Sequence, residues 1–151
     1  MTLILKRNEQ ARFMRFALVG AIGAVIDFGV FNLLTHFTGI NAVIASVISF
    51  ICAVCSNFIW NRYWTYPDSR TKHITHQLLQ FIIISVIGLA IRTPLFAYLE
   101  KVLAKSFANS VFTVPFTPTF LSHNISLAVT IIVVMFWNFF ANRFWTYGDI
   151  G

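Results

Sequence analysis

Two ionisable side chains stand where a lipid bilayer would be. Asp27 lies deep in one long apolar run and Arg92 in another. A charge at mid-bilayer costs about 2.5–3.5 kcal/mol on insertion scales, so it persists only against a partner, a cavity or a substrate. Aligning the two runs on Phe16 and Phe81 brings Gly23 onto Gly88, Phe31 onto Phe96, Leu34 onto Leu99 and Asp27 onto Arg92. The charges then share a depth and oppose in sign. A static ion pair fixing helix register is one reading. A charged element that contacts a phosphate or gates a path is the other. Pro94, two residues on, removes the hydrogen bond to the Ala90 carbonyl and is expected to kink the helix, opening a polar pocket beside Arg92.

A second constellation occurs twice. Asn57-Phe58-Ile59-Trp60-Asn61-Arg62-Tyr63-Trp64-Thr65-Tyr66 returns as Asn138-Phe139-Phe140-Ala141-Asn142-Arg143-Phe144-Trp145-Thr146-Tyr147, each copy closing an apolar run. Asn57, Asn61 and Trp64 fall on one helix face, as do Asn138, Asn142 and Trp145. Arg62 and Arg143 arrive at the membrane surface, where a guanidinium can fork onto phosphate oxygens. Trp64, Trp145, Tyr66 and Tyr147 can stack on a sugar ring. An aromatic belt with basic anchors explains the Trp, Tyr and Arg types. It explains the paired asparagines less well, because amides inside a span need partners. Arg62, Arg143 and Arg92 are therefore candidate phosphate contacts. Asn57, Asn61, Trp64, Tyr66, Asn138, Asn142, Trp145 and Tyr147 are candidates for a headgroup groove.

The elements carrying these residues follow from composition. The 151 residues are 58% hydrophobic, 17% aromatic and 11% charged. A soluble domain carries about 25% charged residues, and seventeen Phe cannot all hide in so small a soluble core. Four runs are long enough to cross a bilayer: 13–35, 41–60, 77–99 and 121–141. The expected fold is all-α integral membrane, with four transmembrane helices forming two parallel two-helix repeats. Two spans per repeat keep both copies in one orientation, so an axis along the membrane normal relates them. Residues 1–12 read as a basic arm on the inner surface, and 13–151 as the membrane domain.

Lys6, Arg7, Arg12, Arg15, Arg62, Arg70, Lys72 and Arg143 fall on one side of a four-span chain, and Lys101 and Lys105 on the other. The positive-inside rule puts both termini in the cytoplasm. The net charge of +6 then reports topology and lipid headgroups, not nucleic acid. Arg12 and Arg15 are expected at headgroups. Residues 104–120, nearly uncharged and broken by Pro115 and Pro118, read as a greasy surface loop or an interfacial, partly re-entrant segment. Cys52 and Cys55 read as packing residues on one helix face. His73 and His76 read as solvated, and His36 and His123 lie near the outer ends. There is no phosphate-binding loop for ATP, no Asp-x-Asp pair and no zinc or nucleophile constellation. The expectation is a non-enzyme without cofactor or metal.

The chain resembles the GtrA family of small four-helix bacterial membrane proteins. Arg15-Phe16-Ala17-Leu18-Val19-Gly20 with Asp27 carries part of the likeness, and the doubled Asn-Phe…Asn-Arg-aromatic-Trp-Thr-Tyr motif carries the more specific part, over roughly 12–148. The family commonly ends this motif in Phe, where this chain has Tyr66 and Tyr147. The resemblance implies movement of polyprenyl-phosphate-linked monosaccharides, undecaprenyl-phosphate glucose above all, across the bacterial cytoplasmic membrane for O-antigen or other surface-polysaccharide glycosylation. It also implies a separate membrane glycosyltransferase as partner. A homodimer is compatible with so few helices. Two other classes stay open: a small multidrug-type antiporter using Asp27, and a non-transporting scaffold for a glycosyltransferase.

Overall fold

Hydropathy sets the architecture. The computed structural model describes residues 2–67, 71, 73–109, 115–141 and 145, with the side chains of 2–9, 12, 13 and 139 outside the description. The described chain is helical: α1 (Thr2–Phe37), α2 (Ala42–Trp60), a π-helical turn (Asn61–Thr65), α3 (Ile74–Ala108) and α4 (Pro118–Ala141). Four stretches are long and apolar enough to cross a membrane: Met14–Phe37, Ala42–Thr65, Ile74–Ala108 and Pro118–Asn138.

Burial runs opposite to that of a soluble protein. Val25, Ile51, Val86, Ile132 and Phe136 lie on the outside. Asp27, Ser46, Ser49, Arg92, Ser122 and Thr130 are buried. A bilayer solvates the aliphatic exterior and leaves polar groups to find one another inside. One buried apolar cluster takes a residue from each helix: Phe31, Ala45, Phe96 and Leu127.

α1 packs most closely on α2, and α3 on α4; α2–α3 and α1–α4 contacts close the ring. α1 and α3 face each other across its centre and meet through long side chains. Asp27 pairs with Arg92, and Phe31 meets Phe96 edge-on at 5.6 Å between centroids. Both pairs are 65 positions apart, so the two helices run the same way in one fixed register.

The helix ends explain where the structure departs from hydropathy. α1 runs unbroken from Thr2, so the expected basic arm 1–12 is continuous with the first span. Gly39 turns the chain at φ +63°, and the Asn41 side chain caps α2 by accepting the Val43 N–H at 2.8 Å. α3 begins at Ile74 and ends at Ala108, so His76, Lys101 and Lys105 are helical and not in loops. The 100–108 segment is rich in good helix formers, and its charges end a hydropathy window without ending a helix. Pro118 opens α4, as proline does at first helical positions, and the Thr117 hydroxyl accepts the Phe120 N–H at 3.2 Å. The 104–120 segment is thus divided between α3, α4 and a connection of which 110–114 lie outside the described residues. Cys52 and Cys55 are exposed free thiols on the outside of α2, not packing residues inside the bundle.

Candidate functional site

Two arginines are buried to nearly the same degree and satisfied in opposite ways. Arg92 is 1% exposed. Its Nη1 and Nη2 both donate to the Asp27 carboxylate, Nη2 at 2.7 Å to Oδ1. Its Nε donates to Ser46 Oγ at 3.1 Å. The Ser49 hydroxyl donates to Asp27 Oδ1 at 2.6 Å, and the Phe50 ring lies under the guanidinium at 5.1 Å. Such a fork combines charge-assisted hydrogen bonds with planar fit and a cation–π contact. The structure therefore brings Asp27 and Arg92 together, and α2 supplies the rest of the cage. The opening expected beside Arg92 is absent: Ser46, Ser49 and Phe50 fill that space although α3 carries Pro94. Arg92 thus has no face open to a phosphate.

Arg62 is 7% exposed. Its Nη1 donates to the Gln77 side-chain oxygen on α3, and its Nε has no partner. Among the described residues no carboxylate pairs with it. Asn57 Oδ1, Asn61 Oδ1 and Thr65 Oγ1 are likewise buried without a hydrogen bond. Four unpartnered polar atoms thus lie within nine residues of chain, where each would ordinarily cost about 1–3 kcal/mol.

Local backbone geometry produces the cluster. At Asn61 the helix widens to a π-turn, closed by the Tyr66 N–H donating to the Asn61 carbonyl at 2.9 Å. π-turns often mark functional positions. The wider turn carries Asn61, Arg62 and Thr65 inward and leaves Tyr63 and Trp64 exposed. Trp64 was expected on the asparagine face; Thr65 takes that place. Arg15 Nη1 donates to the Trp64 carbonyl at 3.3 Å, satisfying one of the free carbonyls at the helix end.

Gly23 makes room for Asn57. A Cβ there would sit 2.4 Å from Asn57 Oδ1 and 2.8 Å from Nδ2. The Asn57 amide is short and can swing away, and alanine is the better helix former by about 1 kcal/mol. Gly23→Ala should therefore leave thermal unfolding of the purified protein unchanged or slightly improved while displacing Asn57, and should lower the transport that the family resemblance implies. A variant that is both stable and fully active would remove Asn57 from the site.

In the second copy of the motif, Asn138 is half-buried and Trp145 is exposed. Asn142, Arg143 and Tyr147 lie outside the described residues. Tyr66 is half-buried, and His73 and His76 are exposed. Sequence reasoning missed Ser46, Ser49, Gln77 and Thr65, and also Trp137, whose indole N–H donates to the Ile84 carbonyl at 3.0 Å. Ser46 and Ser49 were findable as small polar residues three apart in an uncharged span. For Gln77 no sequence signal existed.

Comparison with known proteins places this geometry. The profile described as GtrA/DPMS, transmembrane domain, matches residues 15–147. The chain belongs to the GtrA/DPMS transmembrane-domain family. This GtrA-family chain is 32% identical over 135 residues to YngA, an uncharacterized membrane protein of Bacillus subtilis, covering 89% of this chain and 78% of YngA. It is also 32% identical over 81 residues to a dolichol-phosphate mannosyltransferase of Pyrococcus furiosus, which is 54% of this chain and 23% of that enzyme. No solved structure matches the chain.

Proposed function

We propose that this GtrA-family protein translocates a polyprenyl-phosphate-linked monosaccharide, with undecaprenyl-phosphate glucose the expected cargo, across the bacterial cytoplasmic membrane for surface-polysaccharide (O-antigen) glycosylation. The observation that carries this reading is Arg62: a buried cation whose one partner among the described residues is the neutral Gln77, amid three unpartnered oxygens. One guanidinium matches one phosphodiester charge, and Asn57, Asn61 and Thr65 match sugar hydroxyls. The isoprenoid tail can remain in lipid, so only the head needs a polar route. In the proposed arrangement both termini are cytoplasmic, α1–α2 and α3–α4 act as parallel repeats with 13–151 as one unit, and Arg143, Asn138, Asn142, Trp145 and Tyr147 form the second copy of the groove with Trp64 and Tyr66 at the rim. A membrane glycosyltransferase supplies the cargo. The Asp27–Arg92 pair is assigned as a lock between the repeats, not as a second phosphate station.

The antiporter alternative needs an acid that exchanges protons with solution. Asp27 is 3% exposed and held by Arg92 and Ser49, which speaks against it. A scaffold would have no need of a buried cation that no carboxylate among the described residues pairs with. The test is translocation of short-chain polyprenyl-phosphate glucose by the purified protein in liposomes, read by accessibility to a membrane-impermeant enzyme. Movement faster than in protein-free liposomes is expected. Equal rates, with a glycosyltransferase co-purifying, would replace this reading with the scaffold.

A further inference from the structure

An open cleft, its wall mostly apolar with a few polar groups, lies at the end of the bundle opposite Arg62. It occupies about 700 Å³ between the last turns of α1 and the start of α4, a volume in the ordinary range of small-molecule sites. At about 1.5 Å rise per residue, the path along α1 from Arg15 beside the π-turn to His36 in the cleft is about 30 Å, close to the hydrocarbon thickness of a bilayer.

Its chemistry differs from that around Arg62. The polar lining is Asn32, Thr35, His36, Thr117, Thr119, His123 and Asn124, with no Lys, Arg, Asp or Glu among the described residues of the wall. Asn32 and Asn124 form a clasp between α1 and α4. Asn32 Nδ2 donates to Asn124 Oδ1 at 2.8 Å and Asn124 Nδ2 to Asn32 Oδ1 at 3.2 Å. The other amide hydrogens go to the Phe28 and Phe120 carbonyls, each at 2.9 Å. The clasp thus has no donors to spare, but each Oδ1 keeps a lone pair for a hydroxyl. His123 is held from behind by Glu100, 3.4 Å from its Nε2, and edge-on by Phe31. Phe120 lines the wall and stacks on Phe116 at 5.2 Å, an aromatic face for the positively polarised C–H groups of a sugar ring. Gly29 leaves the floor open: a Cβ there would meet nothing within 4 Å.

We propose that this cleft binds the neutral, hydroxyl-rich head of a glycolipid. The wall offers acceptors, imidazoles and an aromatic face but no cation, so it takes the sugar and not the phosphate. The inference extends the function proposed above, in that the head engaged near Arg62 is met again at the far end. Its test does not depend on transport. The full-length protein in lipid nanodiscs is photolabelled with a diazirine-bearing alkyl glucoside, and labelled peptides are mapped by mass spectrometry. Labels should concentrate on 29–37 and 117–124. Gly29→Phe should cut them about tenfold, equivalent to about 1.4 kcal/mol of affinity, whereas Val25→Phe, at a site 73% exposed on the apolar exterior, should not. Competition by free glucose would mean the sugar alone suffices, and its absence would mean the tail is required. Equal labelling of the cleft by the same alkyl diazirine without its sugar, or indifference to Gly29→Phe in a variant with unchanged thermal unfolding, overturns the proposal. Loss of transport in the liposome assay, with sugar-dependent labelling intact, would count against the proposed function alone.

Discussion

Asp27→Ala is expected to destabilise the bundle by about 3–5 kcal/mol, the usual cost of stranding one member of a buried ion pair. Among the described residues Arg92 has no other carboxylate partner, and it is 1% exposed, so its charge cannot escape to water without unfolding α3 from the centre. Arg92→Ala should cost a similar amount by stranding Asp27 with Ser49 as its remaining partner. Asp27→Leu combined with Arg92→Met should recover most of that loss, because apolar replacements of similar volume remove both desolvation costs together. Unfolding in mixed micelles, monitored by tryptophan fluorescence, measures all three. A double variant that is stable and still transports makes the pair a lock. A double variant as unstable as the singles would show that the serine cage, not the charge pair, holds the helices.

Arg62→Met should have the opposite profile. It keeps the apolar stem, removes a buried cation that has only Gln77 for a partner among the described residues, and should leave stability unchanged or higher. Transport of the lipid-linked sugar should fall at least about tenfold, or about 1.4 kcal/mol. Functional sites commonly hold groups that fold stability alone would not keep. The two measurements together separate the two arginines: Arg92 is expected to sustain the fold, and Arg62 to serve transport at its expense. A stable Arg62→Met variant with normal transport would eliminate the headgroup site.

Much of this was legible in the sequence for a plain reason. Span number follows from apolar run length, and Asp27 and Arg92 announce each other because a lone charge in lipid is so costly. The doubled Asn-Arg-Trp motif points to the candidate site by its recurrence. What stayed illegible depends on three-dimensional detail. Hydropathy cannot show that α3 continues through Glu100, Lys101 and Lys105, since charges end an apolar window while helix propensity carries on. An α-helical wheel put Trp64 beside Asn61, and only the π-turn exchanges it for Thr65. The contrast between Arg62 and Arg92 needed both neighbourhoods, one closed by Ser46 and Ser49, the other left with an amide.

The constant 65-position offset between α1 and α3 limits how this bundle can move. A slip of one helical turn in one direction sets Asp27 against Phe96 and Arg92 against Gly23; in the other, Phe31 against Arg92 and Asp27 against Gly88. Either slip separates the charges by about 5 Å along the axis and pushes a ring against one of them. The diagonal therefore has a single permitted register, and sliding between the helix pairs is forbidden even where tilting is not. In the proposed transport, the polar head would travel along a fixed central spine, and any widening would have to come from α2 and α4 swinging about it as leaves about a hinge pin.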